Sequence, residues 1–102
     1  MALSRLRVVG TLMVRLSEGQ YVLWSNTVDA PVSPVLPRDE MIAFLEREHP
    51  ISYVEAVHAL DLADQHGTND PSTDLAEVLA TNRAGENEAA LTLDEILRMY
   101  GK

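Results

Sequence analysis

Apolar and polar residues alternate along the first part of the chain. From position 6 to position 16 the even-numbered residues are apolar or glycine, and the odd-numbered ones are mostly polar. Successive side chains of a strand point to opposite faces, so this period of two predicts a strand with one buried face. A turn around Gly19 follows, and residues 21–24 form a second run of β-forming side chains. The pattern therefore predicts a β-hairpin.

The length of the turn decides which hairpin residues share a face. A two-residue loop at positions 18 and 19 gives one face with Leu12, Val14, Leu16, Tyr21, Leu23 and Ser25, and another with Met13, Arg15, Val22 and Trp24. One extra residue in either strand would reverse part of this assignment. Residues 28–36 remain extended, but Pro31 and Pro34 cannot donate to a strand ladder, which predicts an edge strand or an ordered meander.

After position 36 the pattern changes to the 3.6-residue period of amphipathic helices. Pro37 suits a first helical position, and Pro50 ends that helix. Capping boxes, in which two side chains satisfy otherwise unpaired amides, are predicted at Ser52 with Glu55 and at Thr92 with Glu95. A short helix between these two is expected to start at Asp70 and to close by Gly85.

These patterns predict a single α+β domain over residues 1–102. Its strand-rich part, 1–36, is an N-terminal β-hairpin or small antiparallel sheet. Its helical part, 37–102, contributes three to four short helices packed on one face. A chain of 102 residues suits one domain, and a hydrophobic content of 46% suffices for one core.

Composition favours a cytoplasmic protein. The chain has no cysteine, which excludes disulfides and thiolate metal sites and fits a reducing compartment. Arginines at positions 5, 7 and 15 interrupt the apolar N-terminal stretch. The run from 8 to 14 is far shorter than the roughly 20 residues of a membrane helix. No cleavage pattern of a signal peptide follows it.

The net charge of −8 is concentrated in the helical part. Residues 37–102 have fourteen acidic and five basic side chains, whereas residues 1–36 have two acidic and three basic ones. Such negative potential disfavours direct contact with nucleic acid. The carboxylates either solvate the helix surfaces or meet a basic partner.

The sequence contains none of the common catalytic motifs, such as a nucleophile elbow, a phosphate-binding glycine loop or a dinucleotide fingerprint. We therefore expect a non-enzymatic protein without catalytic residues or cofactor. His58 and Asp61 have the spacing to share a helix face, but a metal site needs at least three converging ligands, so a surface pair is the favoured interpretation. The aspartates of residues 61–74 lack the order of a calcium loop. No metal site is expected.

The only tryptophan, Trp24, offers the main candidate for recognition. In the predicted register it shares a face with Met13 and Val22, away from the helices. It could pack beneath the proline-containing segment, or it could be an exposed aromatic anchor of the kind enriched at interaction hot spots. Asp61 and Asp64 lie near the negative end of their helix, where carboxylates are slightly unfavourable. These five residues form the candidate partner-binding surface.

The helical part contains the segments PRDEMI (37–42), DQHGT (64–68), NRAGENE (82–88) and LTLDEI (91–96). Together these four segments resemble a set of small proteins from actinobacterial phages and their hosts. The resemblance covers about residues 20 to 100, and its segments are caps, turns and helix starts. No activity carries over to particular residues. The resemblance implies a context, since small phage accessory proteins often bind a host protein.

The expected function is a protein-interaction module, of the phage accessory kind, that binds and modulates a host protein. An alternative is an acidic nucleic-acid mimic that occupies the basic groove of a DNA-binding protein, with strongly salt-dependent binding. A further alternative is a small DNA-binding regulator that uses Arg5, Arg7 and Arg15. A homodimer is also open, because an edge strand can pair with a second copy while edge prolines prevent such pairing.

Overall fold

The computed structural model describes residues 11–48 and 51–101. Within these residues a three-stranded antiparallel sheet is followed by four α-helices, so the predicted α+β fold is confirmed. The strands are β1 (Thr11–Ser17), β2 (Gln20–Ser25) and β3 (Ala30–Pro31), in the order β1-β2-β3. The helices are α1 (Arg38–Glu48), α2 (Tyr53–His66), α3 (Leu75–Ala80) and α4 (Leu93–Tyr100), with a 3₁₀ turn at Glu86–Glu88. The part of the first predicted strand before residue 11, and the helix end predicted at Pro50, lie outside the described residues.

The hairpin has the predicted two-residue turn but a different register. Ser17 pairs with Gln20 across the turn, and the register then shifts between Arg15 and Ser17, which leaves Leu16 as an extra residue. Beyond this bulge the pairs are Val14 with Val22, Met13 with Leu23, and Leu12 with Trp24. A shift of one residue exchanges the two faces of one strand relative to the other. The predicted division of the hairpin residues is therefore wrong.

Helices cover both faces of the sheet. On one face α1 and α2 pack against Met13, Tyr21 and Leu23, through a buried cluster that includes Met41, Leu45, Ala56 and Leu60. On the other face α3 and α4 contribute Val78 and Ile96 to a second cluster, which contains Leu12, Val14, Leu16, Val22 and Trp24. The prediction that the helices pack on one face is wrong. Both faces of the hairpin are apolar in the observed register, so each face requires a cover.

Both edges of the hairpin form main-chain hydrogen bonds with other segments of the chain. On the β1 side, the Arg15 amide donates to the Gly67 carbonyl at 2.9 Å and the Asn69 amide donates to the Met13 carbonyl at 3.0 Å. On the β2 side, β3 is followed by a second contact, in which Tyr21 and Leu36 exchange two main-chain hydrogen bonds. The segment predicted as an edge strand or an ordered meander thus contains a two-residue strand and an isolated bridge.

The predicted capping boxes at Ser52 with Glu55 and at Thr92 with Glu95 are both present. At the second of them, the hydrogen bond from the Thr92 backbone amide holds the pKa of Glu95 below its ordinary value. Within residues 11–48 and 51–101, none of the helices has the length and hydrophobicity of a membrane span.

The third helix begins later and ends earlier than predicted. It starts at Leu75, behind a capping box formed by Asp74 and Glu77, and it ends at Ala80. Asp70 instead organises a turn, in which its Oδ1 accepts from the Ser72 amide at 3.1 Å. An aspartate bonded to the backbone two residues ahead favours a turn over a helix start.

Candidate interaction surface

The structure buries the apolar part of the predicted partner-binding surface. Met13 and Val22 are fully buried, and Trp24 is only 2% exposed. Trp24 lies in the cluster with Val78 of α3 and Ile96 of α4. The interpretation of these three side chains as an exposed recognition face is therefore wrong. The bulge at Leu16 explains this error. In the observed register the indole faces α3 and α4, whereas the predicted register placed the helices on the opposite face of the sheet.

The two predicted aspartates bind side chains of the protein itself. Together with Arg15, Tyr21 and Arg38 they form a group that we call the ion cluster. Arg38 reaches both carboxylates, with Nη2 at 2.7 Å from Asp61 Oδ1 and Nη1 at 3.3 Å from Asp64 Oδ2. The Tyr21 hydroxyl donates to Asp64 Oδ1 at 2.7 Å. Arg15 Nε lies 3.4 Å from the same oxygen, as an ion pair without a hydrogen bond.

The ion cluster joins both hairpin strands to α1 and α2. Burial raises the pKa of the Tyr21 hydroxyl, and the hydrogen bond to Asp64 raises it further. The hydrogen bond to Asp61 raises the pKa of Arg38. A partner that bound these carboxylates would have to displace Arg38 from them. The intramolecular bonds also explain why two acidic residues occupy the later turns of α2, where the helix dipole disfavours them.

Replacing Tyr21 by phenylalanine tests the ion cluster. At pH 7 the free energy of unfolding is expected to fall by about 1–2 kcal/mol, because a hydrogen bond to a charged carboxylate is lost. Because the pKa of Tyr21 is raised in the folded protein, its contribution to stability is fully present below the unfolded pKa of about 10. That contribution is lost as the pH rises through the folded pKa. Urea unfolding at pH 7, 9 and 10.5 measures both effects.

Tyr53→Phe is the matched control for this experiment, because Tyr53 is 59% exposed. This variant is expected to have the same free energy of unfolding as the unmodified protein at pH 7. It should also show the same decrease in that free energy between pH 9 and 10.5. Parallel losses between pH 9 and 10.5 in the unmodified protein and in Tyr21→Phe would contradict the assigned role of Tyr21.

The histidine considered as a metal ligand is a surface residue. His58 lies exposed on α2. Among residues 11–48 and 51–101, no group of three or more histidine, aspartate or glutamate side chains is placed to hold a metal ion.

Two buried asparagines organise the loops and were not singled out by the sequence patterns. Asn69 Oδ1 accepts from the Met13 amide at 2.8 Å and so fastens the loop after α2 to the edge of β1. Asn82 Nδ2 donates to the carbonyls of Leu79 and Leu91, and its Oδ1 accepts from the amides of Ala84 and Leu91. The sequence offered one signal for this role, which is the asparagine inside each turn-rich segment. An asparagine side-chain amide can bond to main-chain groups that have no partner in a helix or sheet.

An apolar groove lies between the segment after β2 and the end of α4. We call it the proline groove; it has a volume of about 390 Å³ and is lined by Pro31, Val32, Ser33, Pro34, Met99 and Tyr100. Val32 is 48% exposed and Met99 is 57% exposed. The two walls are joined by the Val35 amide, which donates to the Tyr100 carbonyl at 2.8 Å. The Tyr100 hydroxyl donates to the Ala84 carbonyl at 3.0 Å and fixes the ring.

The sequence pattern contained a sign of this groove. On α4, the residues Leu93, Ile96, Leu97 and Tyr100 have helical spacing and form the face that packs on the second cluster. Met99 is an apolar side chain outside that face. Val32 lies between Pro31 and Pro34, which have no amide hydrogen to donate to a strand ladder. Only the fold shows that these two positions, 67 residues apart, line the same groove.

A second concavity, of about 250 Å³, has a mixed polar and apolar lining. It lies beside Trp24 and α3 and includes the carboxylates of Asp29 and Glu77. Glu77 accepts from the Asp74 amide at 3.0 Å, and Asp29 pairs with Arg83 at 3.6 Å. Because both carboxylates already have partners within the fold, the proline groove is the better candidate for recognition.

Comparison with known proteins adds no family to these observations. No protein-family model, no curated protein and no solved structure matches the chain.

Proposed function

We propose that this protein is a non-enzymatic interaction module that binds another protein through the proline groove. The observation that carries the proposal is the pair of half-exposed apolar side chains, Val32 and Met99, on opposite walls of one groove. Adjacent exposed apolar side chains that line a concavity are typical of surfaces that another protein covers. The groove replaces the Trp24 face as the apolar part of the candidate surface.

The groove is also built to keep its shape. The Val35 and Tyr100 main-chain contact joins its walls, and the Tyr100 hydroxyl holds one of them to the loop after α3. A preformed surface loses less conformational entropy on binding than a mobile one. The resemblance to phage proteins supports a host protein as the partner, and the acidic composition supports a basic surface on it.

The variant Val32→Thr/Met99→Gln tests this proposal. Both substitutions keep the approximate size of the side chain and its charge while placing a polar group in the groove. A partner isolated from an actinobacterial lysate, then purified and titrated against the protein by calorimetry, is expected to bind this variant at least about tenfold more weakly.

Val54→Thr is the matched control, because Val54 is 74% exposed and lies on α2 outside the groove. It is expected to bind the purified partner as the unmodified protein does. A partner that binds both variants with unchanged affinity would show that the proline groove is not the binding surface.

A further inference from the structure

We infer that the concavity of about 250 Å³ beside Trp24 binds a small amine that also carries a neutral oxygen acceptor, as an amino alcohol does. We call this concavity the indole pocket. It shares no lining residue with the proline groove, so the inference does not depend on the proposed function. Two features carry it: an indole N–H without an acceptor in the described part of the chain, and two carboxylates in the lining.

The first feature is the side chain of Trp24. Trp24 is 2% exposed, and the N–H of a buried indole normally donates to an acceptor. Within residues 11–48 and 51–101, Trp24 Nε1 makes no hydrogen bond, and Arg15 Nε is the one buried side-chain nitrogen or oxygen that is closed to solvent without a partner. Nε1 is therefore accessible. Because Trp24 lines the indole pocket, its N–H opens into that pocket.

An open N–H of this kind restricts the chemistry of the ligand. A ligand that covers Nε1 has to accept its hydrogen bond, because a buried donor without a partner costs free energy. Asp29 and Glu77 line the same pocket, but neither of these two carboxylates accepts from Nε1. The acceptor therefore has to belong to the ligand. A hydroxyl or carbonyl oxygen meets this requirement, whereas an ammonium group has only donors.

The second feature is the charge of the lining. Asp29 and Glu77 are acidic, and none of the described residues that line the pocket is lysine, arginine or histidine. Glu77 Oε1 accepts from the Asp74 amide at 3.0 Å, and Asp29 Oδ2 lies 3.6 Å from Arg83 Nε. These contacts use one oxygen of each carboxylate, and Arg83 is shared with Glu88 at 3.3 Å. Both carboxylates can therefore bind an ammonium group of a ligand.

The size and the apolar part of the pocket limit the rest of the ligand. A volume of about 250 Å³ is below the roughly 300–1,000 Å³ of pockets for drug-sized molecules. Val78 and the indole ring provide apolar contacts for a short hydrocarbon part. A free amino acid fits less well, because its own carboxylate would meet two like charges. In the described residues no third ligand joins the two carboxylates, as a metal ion would require.

Titration of three small molecules, followed by nuclear magnetic resonance, tests the inference. Leucinol has an ammonium group, a hydroxyl group and a branched hydrocarbon part. Isoamylamine has the ammonium group and the same hydrocarbon part but no oxygen, and leucine has a carboxylate in place of the hydroxymethyl group. Trp24 is the only tryptophan, so a proton–nitrogen correlation spectrum contains a single indole N–H signal, which reports directly on Nε1.

Leucinol is expected to shift the indole signal to a saturating value, with the proton moving downfield as it donates to the hydroxyl oxygen. The dissociation constant of leucinol should be at least about fivefold lower than that of isoamylamine, which offers no acceptor. Leucine should bind at least about tenfold more weakly than leucinol, because its carboxylate meets like charges in the pocket.

The variant Asp29→Asn/Glu77→Gln locates the binding site. Asparagine tolerates the positive φ of 56° at position 29, and glutamine keeps the capping box of α3. The matched control Asp94→Asn/Glu95→Gln also removes two charges at a capping box, that of α4, outside the indole pocket. Leucinol is expected to bind the first variant at least about tenfold more weakly, and the control within about twofold of the unmodified protein.

Absence of a saturable shift with leucinol would overturn the inference, and so would equal binding of leucinol and isoamylamine. Both results come from the unmodified protein, so they decide the inference even if a variant does not fold. Equal weakening in the two double variants would show that leucinol follows the overall charge, and this would also overturn the inference. The calorimetry with a purified partner tests the proline groove separately.

Discussion

Replacement of Trp24 by alanine is expected to lower the free energy of unfolding by about 3–5 kcal/mol. The indole is 2% exposed and packs in one cluster with Leu12, Val78 and Ile96, so its removal leaves a cavity between the sheet and the two helices α3 and α4. A domain of this size has a total stability of about 5–15 kcal/mol, so the loss is a large part of it. Equilibrium unfolding in urea, followed by far-ultraviolet circular dichroism, measures the change.

Tyr53→Ala provides the matched control, since Tyr53 is an aromatic residue that is 59% exposed on α2. Its effect is expected to stay within about 0.5–1 kcal/mol. If Trp24→Ala does not fold, Trp24→Phe gives a measurable loss of about 1–2 kcal/mol at the same position. Equal unfolding midpoints for Trp24→Ala and Tyr53→Ala would mean that α3 and α4 do not cover this face of the sheet.

Asn82→Ala is expected to lower the free energy of unfolding by about 2–4 kcal/mol. The side chain is 2% exposed and makes four hydrogen bonds to the main chain, at distances from 2.7 to 3.2 Å. Alanine would leave the amides of Ala84 and Leu91 and two carbonyls without these partners in the interior. The loop from α3 to α4 would lose the bonds that hold it closed.

Hydrogen exchange at Leu91 provides a readout specific to this site. The Leu91 amide donates to Asn82 Oδ1 at 2.8 Å, and its protection is expected to fall sharply in Asn82→Ala. Asn82→Asp keeps the acceptor but loses both donated bonds, so it should also be destabilised. Thr81→Ala is the control, because Thr81 is exposed and its hydroxyl donates to the Glu77 carbonyl at 3.3 Å. Similar stabilities for Asn82→Ala and Thr81→Ala would contradict the role of Asn82.

The successes and errors of the sequence patterns have a common physical origin. Features that depend on a few neighbouring residues were predicted correctly, such as the capping boxes at Ser52 and Thr92. The predicted start of α3 was wrong because two local sequence signals for a helix start compete. Asp70 before a proline suits a turn as well as a helix start, and Asp74 with Glu77 provides the capping box that the chain uses.

The prediction of a recognition surface around Trp24 depended on the pairing register of the hairpin, which a single extra residue changes. Period-two alternation shows that a strand has two faces, but it does not show where a bulge lies. The extra residue Leu16 exchanges the neighbours of Trp24 and Met13, and of the two alternatives left open for Trp24, core or exposed anchor, the structure has the core. Asp61 and Asp64 were identified as unusual for their helix positions, yet their partners Arg15, Tyr21 and Arg38 come from three other elements.

The sequence alone determined the kinds of element, their order and the starts of α2 and α4, because helix and strand periods and capping boxes act over a few residues. Only the tertiary structure decided which faces are covered, which charges pair and where an apolar surface remains open. Those outcomes depend on contacts between distant residues, such as Val32 and Met99 on the two walls of the proline groove. A one-residue change of register is enough to alter them, and no local pattern records it.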